Sequence, residues 1–410
     1  MSLTECKVRY GGQVKILYVH DGRFIKHNNV YYGNGHYAYE LQWKRYLEYF
    51  DEIRVAGRIT ESDDLSKVGL VSISSGPGVS FVDCPNLLSV KGLCHVSKAR
   101  AILKKEIEDA DAVIVRMQSI LGSLAAMIAM RKRVPYLVEV VGCSKAAFWY
   151  YGTLTGKLVA LPAYLLERYI VKHAPFAVYV SRHFLQKRYP NRHYNVGCPD
   201  CCVPLTDESV LEGRLERIES YNDDTVYRLG FVGAANVKYK GLEVAIKALS
   251  KVAENGRNYK LCVLGSGDYS QWLELAKKYH VEDMIELCGV RGGGQAVFEW
   301  FDSIDIFVMP SFQETLGRAL VEAMSRGCPA IGTRETAIPE QLGDDCIFSV
   351  KDEGKLAELI INMCSNKEYM KICAKENFYR AQKYSEEILK PQRQKYWNDF
   401  LRYIENNVRK

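Results

Sequence analysis

Short apolar runs alternate with stretches of helical periodicity along this chain, and they do so in two separate series. The first opens with "VKILYVH" (14–20), a near-continuous apolar strand of the kind buried on both faces of a parallel sheet. A helical pattern follows from "GHYAYELQWKRYLEYF" (35–50), then strands at "EIRVAG" (52–57), "DAVIVRM" (111–117), "PYLVEVVG" (135–142) and "FAVYVS" (176–181). Residues 200–225 break the rhythm; they are polar and acid-rich, lack a strand, and read as an interdomain connection. A fresh series then runs through "YRLGFVG" (227–233), "YKLCVLG" (259–265), "MIELCG" (284–289), "DIFVMP" (305–310) and "CPAIGT" (328–333). Helices fit between these strands at 240–254, 269–280, 295–302 and 316–326, and residues 385–407 read as a long amphipathic helix broken by Pro391. Such alternation produces doubly wound α/β sheets. The expected architecture is two Rossmann-like domains facing each other across a cleft.

The length of 410 residues suits two domains of ordinary size. Thirteen cysteines form an odd set scattered from Cys6 to Cys373, and no signal peptide is read at the N-terminus. That favours free thiols in a reducing, cytoplasmic setting over a disulfide framework. The tight group "CPDCC" (Cys198, Cys201, Cys202) has no second pair at zinc spacing, so no structural metal is expected there. No run of eighteen apolar residues exists to span a membrane. Charge is uneven: residues 1–205 carry 27 Lys and Arg against 17 Asp and Glu, whereas residues 206–410 carry 28 against 32. A basic first half beside an acidic second half points to separate tasks.

The densest chemistry lies in "PSFQETLGRALVEAMSRGCPAIGT" (310–333), which sets Glu314 and Glu322 eight positions apart. Pro310 ends a buried strand, so the loop after it lies where open α/β sheets bind ligands. The helix expected to begin near Leu316-Gly317 offers free N–H groups and the positive end of its dipole to an anion. Glu322 lies five residues past Gly317, about 7.5 Å along the axis at 1.5 Å per residue. That offset roughly matches the distance from a diphosphate to a ribose. By spacing alone, Glu322 reads first as an ordinary solvated helix glutamate.

The same segment, with Pro339-Glu340 after it, resembles the E-x7-E signature of the retaining nucleotide-sugar glycosyltransferases of family 4, which have the GT-B fold. The likeness extends to "LGFVGAANVKYKGLEVAIKAL" (229–249), "VLGSGD" (263–268), "CGV" (288–290) and "VYVSRHFLQKRYP" (178–190). It is dense over 226–350 and thin over 1–200. The resemblance implies an acceptor-binding domain over 1–205, a donor-binding domain over 206–385, and a last helix (386–410) packing back on the first. It gives Glu322 the ribose hydroxyls and Glu314 the donor sugar hydroxyls. The backbone of Thr315, Leu316 and Gly317 would meet the diphosphate, and Lys240 would neutralise the leaving group; Glu314 and Lys240 are the catalytic pair. Gly233, Gly265 and Gly267 fall in the glycine turns of the donor domain, and Val290 and Arg291 in the segment that meets the nucleobase.

Two positions depart from the family pattern. Ala234 stands where an arginine is usual, with Lys238, Arg318 or Arg291 as substitutes, and Val141 stands where a histidine is usual, with Glu139 the nearest carboxylate. Asp109 and Asp111 precede their strand instead of following it, so a metal-binding D-x-D site is not expected. No cofactor is expected beyond the nucleoside-diphosphate sugar as co-substrate, with a UDP-sugar favoured on frequency alone.

On the acceptor side, the long aromatic loop 20–41, with Gly22, Gly33 and Gly35, would lie over the cleft, and Arg116 would point into it. Residues 146–173 read either as buried helices, interrupted at Gly152, Gly156 and Pro162, or as a membrane-surface segment. In the second case Lys172, Arg182, Lys187, Arg188 and Arg192 would face anionic lipid. The partners expected are a nucleotide-sugar donor, a glycan or polyprenyl-linked sugar acceptor and an anionic membrane surface, with no nucleic acid. The function expected is sugar transfer in surface-glycan assembly, in the cytoplasm or at the inner face of the membrane. A sugar-nucleotide epimerase and a catalytically silent nucleotide or glycan binder are the alternatives.

Overall fold

The computed structural model describes residues 13–65, 72–88, 91–150 and 154–408; Cys6 and Gly152 fall outside them. The contacts divide the chain into two compact units. The first takes the described residues up to Val180, Leu185–Cys198, and Gln392 onward; the second takes Ser181–Phe184 and Pro199–Pro391. The division expected from the sequence lies at 205/206, with the return at 386.

In the first unit, β1 (Lys15–His27), β3 (Glu52–Glu61), β5 (Val79–Asp83), β6 (Ala112–Met117), β7 (Tyr136–Val140), β8 (Phe176–Tyr179) and β9 (Tyr194–Gly197) form a parallel sheet in the order β5-β3-β1-β6-β7-β8-β9. Two short strands, β2 (Val30–Gly33) and β4 (Ser72–Ile73), add an antiparallel edge to the far end of β1. This corrects the reading of 20–41 as a loop. After a register shift between Val19 and Arg23, the chain resumes pairing with β3 and turns back through Asn28-Asn29, both at positive φ. Asparagine tolerates that left-handed conformation better than most residues, so this pair makes a hairpin where apolar periodicity is silent.

The second unit is a six-stranded parallel sheet. Its strands are β10 (Val226–Val232), β11 (Asn258–Leu264), β12 (Ile285–Gly289), β13 (Ile306–Met309), β14 (Ala330–Thr333) and β15 (Ile347–Phe348). They lie in the order β12-β11-β10-β13-β14-β15. The chain winds outward from β10 in one direction, then outward from β13 in the other. The switch point therefore falls between β10 and β13, and the crevice beyond their carboxyl ends is where such sheets take ligands.

Residues 200–225 are not a plain connection. Asp207 caps a helix, Glu208–Glu219, by accepting from the Ser209 N–H at 2.8 Å. Leu211, Arg214 and Ile218 face inward. Arg214 donates to the carbonyls of Ile304 and Phe301 at 2.5 and 2.8 Å, and Arg217 to those of Asp302 and Ser303 at 3.0 Å each. These oxygens lie at the end of the helix Gln295–Ser303, where backbone acceptors lack intrahelical partners. The inward face is thus part arginine, which is why it reads as polar. The last helix, Glu386–Val408, runs through Pro391 without a break, another correction. Pro391, the sixth residue of the helix, forgoes the one N–H bond to the Glu387 carbonyl, and the helix continues past it.

Candidate active site

The loops at the carboxyl ends of β10, β11 and β13 are stacked closely enough to require glycine. A Cβ at 233 would meet the Phe231 ring and the Lys240 side chain, and one at 265 would strike the Gly233 carbonyl. Gly267, at φ +112°, packs against Ala235, whose N–H donates to the Ser266 carbonyl at 2.8 Å. Gly241, at φ +81°, brings its backbone against the Pro310 carbonyl, where any side chain would collide. The Phe312 N–H donates to the Tyr239 carbonyl at 2.7 Å, fastening the loop after β10 to the loop after β13.

That junction sets Lys240 beside Glu314. The Lys240 Nζ lies 2.6 Å from Glu314 Oε1, with both side chains largely buried. The Glu314 carbonyl also accepts from the Ala337 N–H at 3.0 Å, so this carboxylate is held by its backbone and by its charge. Next in the chain, the Leu316 carbonyl accepts from the Gln341 side-chain amide, and Thr315 and Leu316 lead into Gly317 at φ +75°. Gly317 opens the helix Arg318–Ser325, and no side chain caps its N-terminus. Gly327, at φ +59°, closes it, with bonds from Gly327 N to Met324 O and from Cys328 N to Ala323 O. This pair of bonds is a Schellman termination.

Glu322 is half-buried on this helix, and its carboxylate makes no hydrogen bond among the described residues. Burial raises its pKa, opposed by the charge of Arg318. Cys201 of the "CPDCC" group is buried near the same two residues; burial pushes its thiol up to about 12, with Arg318 lowering and Glu322 raising it. The three thiols of that group do not gather. Cys198 joins the core of the first unit, and Cys202 Sγ lies 3.1 Å from Glu386.

Lys238, Arg291 and Val290 are exposed. Among the described residues, one group brings three metal-ligand side chains within 4.8 Å: Cys262, Glu286 and Cys288. Glu286 already faces the Arg228 guanidinium at 2.8 Å. Glu340, two residues past Ile338, accepts from the N–H groups of Arg182, His183 and Phe184. This carboxylate draws Ser181–Phe184 into the second unit, and charge-assisted bonds to backbone amides are among the strong ones.

The acceptor candidates are differently placed. Gly33 ends β2 against Tyr37, where a Cβ would come within 2.8 Å, and Gly35 stands in open space. Arg116, on β6, is paired with Glu139 of the neighbouring β7 at 3.2 Å, and Glu139 also accepts from the buried Tyr46 hydroxyl at 2.5 Å. Arg116 and Glu139 are therefore a cross-strand ion pair inside the first unit. Asp21, at the carboxyl end of the first half of β1, is not among the residues singled out by the sequence. Its Oδ2 accepts from Ser119 Oγ and from the amides of Ile120 and Leu121, at 3.0, 2.5 and 3.4 Å. The polar step after an apolar strand, "YVHDG", was the available signal.

These features have counterparts in known proteins. Residues 226–366 match the family model described as Glycosyl transferases group 1. The chain is 30% identical over 387 residues to Protein CapJ of Staphylococcus aureus, covering 93% of this chain and 94% of that one. The chain belongs to the group 1 glycosyltransferases. It is also similar to the capsular polysaccharide biosynthesis glycosyltransferase CapM of Staphylococcus aureus, 26% identical over 215 residues, or 48% of this chain and 52% of CapM. Among solved structures, Anabaena HepE in complex with UDP superposes with a TM-score of 0.64 at 13% identity, over 94% of this chain and 100% of HepE. The fold of this glycosyltransferase is GT-B, and the junction of Lys240, Glu314 and Gly317 lies inside the matched family segment.

Proposed function

We propose that this glycosyltransferase takes its sugar from a nucleoside diphosphate, a UDP-sugar by preference, and passes it with retention to a glycan acceptor in surface-polysaccharide assembly. The observation that carries the reading is the Lys240–Glu314 pair, 2.6 Å apart, beside the uncapped helix that bears Glu322. A cation and a helix N-terminus together suit a departing diphosphate, whose negative charge develops in the transition state. Glu314 supplies acceptors for the sugar hydroxyls, and Glu322 is one helical turn along for the ribose. The name of CapM and the UDP bound in HepE support the polysaccharide setting and the choice of base. Retention and the role of each glutamate rest on the family 4 resemblance of the E-x7-E segment.

Charge stabilisation by Lys240 leaves no step that calls for a divalent ion. Transfer, assayed with UDP-sugars and membrane-derived glycan acceptors, is expected to persist in EDTA. Complete loss restored by magnesium would overturn the metal-free reading. Donor consumption that needs no acceptor and yields an isomerised donor would replace transfer with epimerisation.

The reading includes a peripheral seat on the membrane. No helix among the described residues is long and apolar enough to cross one. The helix Leu154–His173 nonetheless exposes Leu154, Leu158, Leu161 and Leu165, which departs from the first of the two readings of this segment, that of buried helices. With basic residues nearby in sequence, this face suits anionic lipid. The protein is expected to sediment with anionic vesicles at low salt and to be partly released at high salt. Unchanged sedimentation of Leu158→Asp would exclude the leucine face.

A further inference from the structure

Three side chains on one face of the second sheet carry chemistry that the donor reading leaves unused. β11 and β12 run parallel with Cys262 opposite Glu286, and Cys288 follows two residues along β12 on the same face. The two sulfurs and a carboxylate oxygen lie within 4.8 Å of one another. Cys262 Sγ is 3.9 Å from Glu286 Oε2, and Cys288 Sγ is 3.7 Å from Glu286 Oε1. A tetrahedral zinc, with thiolates at about 2.3 Å and a carboxylate oxygen at about 2.0 Å, sets its ligand atoms about 3.5–3.8 Å apart. The separations found here are close to that spacing.

Two protonated thiols donating to the Glu286 carboxylate would account for the same distances. The surrounding groups separate the two readings. The helix Gln295–Ser303 carries Trp300 over this face; a Cβ at Gly230, opposite Cys262 on β10, would meet Trp300 and strike Ile304. Trp300 is 4% exposed, and its Nε1 is buried with no hydrogen-bond partner among the described residues. It still acts on Cys288: burial raises the pKa of that thiol, and the Trp300 N–H opposes the rise. An indole N–H only donates, and a protonated thiol is a weak acceptor, so this donor is better matched by a thiolate.

On the other side, the Arg228 guanidinium lies 2.8 Å from Glu286 Oε1, which leaves Oε2 toward Cys262. Metal ligands characteristically have such outer partners, here Trp300 for a thiolate and Arg228 for the carboxylate. Two thiolates and one carboxylate would balance a divalent cation and Arg228 in charge. Exposed Lys260 is the other cation that acts on Glu286. The Glu286 side chain is 39% exposed, so an ion can enter from solvent.

We propose that Cys262, Glu286 and Cys288 bind one thiophilic divalent cation of the zinc class, with water as fourth ligand. Binding releases the two thiol protons. Thiolates favour zinc over magnesium or calcium, which take oxygen ligands. The ion would brace the end of β12, since the next residue, Gly289 at φ +69°, accepts from the Gly265 N–H at 2.8 Å. It has no part in the transfer step and does not rest on the transferase reading.

Cobalt(II), a coloured substitute for zinc, is the probe, titrated into the reduced full chain. A thiolate-to-cobalt charge-transfer band is expected to saturate at one equivalent and to be removed by zinc but not by magnesium. Affinity should fall at least tenfold in Cys288→Ser and in Glu286→Gln. It should be unchanged in Cys94→Ser and Cys202→Ser, which remove exposed thiols elsewhere. With two protons released per ion, apparent affinity should rise about a hundredfold per pH unit below the thiol pKa values. Zinc should raise the melting temperature of the natural chain and not that of Cys288→Ser. Both site variants change half-buried residues, and their melting temperatures without metal check that they fold. The pH slope of the natural chain tests the proposal even if a variant does not fold. Absence of the charge-transfer band, affinity unaltered in either folded site variant, or a pH slope without two-proton release would overturn the proposal.

Discussion

Glu322→Gln is expected to weaken nucleoside diphosphate binding by about tenfold or more, while Glu314→Gln leaves that affinity nearly intact and lowers kcat. Glu322 is half-buried and has no hydrogen-bond partner among the described residues, which suits the ribose contact proposed for it. A charge-assisted bond of that kind contributes roughly 1.5–3 kcal/mol, and the amide keeps the shape while losing the charge. Burial raises the Glu322 pKa, so binding through it should also fade as the solution is acidified toward the upper carboxylate range. In the proposed reading Glu314 meets the sugar, which a nucleoside diphosphate lacks, so its loss should displace the anomeric carbon and raise the barrier. Calorimetry with nucleoside diphosphate on both variants decides the matter. Equal losses would mean that the two carboxylates share one role.

Lys240→Met should be the more damaging change. It removes the cation proposed to face the leaving group and strands Glu314, largely buried, without its partner at the proposed diphosphate site. Loss of one preorganised electrostatic partner costs about 10²–10³ in kcat, and here nucleoside diphosphate affinity should fall as well. The pair predicts non-additivity. Lys240→Met combined with Glu314→Gln should bind nucleoside diphosphate more tightly than Lys240→Met alone, because the repelling carboxylate is gone. Affinity unaltered in the single variant would remove Lys240 from the donor site.

Most of the second sheet was legible because a fully buried parallel strand has no polar face to disguise it; "YKLCVLG" and "DIFVMP" stand out at sight. The glycines at 233, 241, 265 and 317 were legible for a different reason, since close backbone approach and positive φ leave few other residues. What stayed hidden was hydrophilic on paper and interior in fact. The helix Glu208–Glu219 buries an arginine that satisfies carbonyls nearly ninety positions away, and no local pattern announces such a partner. Arg116 looked like a ligand for the same reason in reverse, because its partner Glu139 comes from the adjacent strand. The Lys240–Glu314 contact joins residues 74 apart, so both could be named for the catalytic step but not the ion pair between them. Asp21 was passed over because its partners, Ser119 and Ile120, lie about a hundred positions downstream.

The last helix bears on how the chain is made. Trp397, Phe400, Leu401 and Ile404 belong to the core that also contains Tyr46, Phe50 and Phe176. Trp397 meets both Tyr46 and Phe50 with ring centroids 5.4 Å apart. Domains generally fold as units as synthesis proceeds, N-terminal first. Here the N-terminal unit lacks one wall of its core until residues 392–404 leave the ribosome. All of Pro199–Pro391 has been synthesised by then. The second unit is thus the one free to complete itself during translation, and the first waits with its aromatic face open until the final stretch arrives.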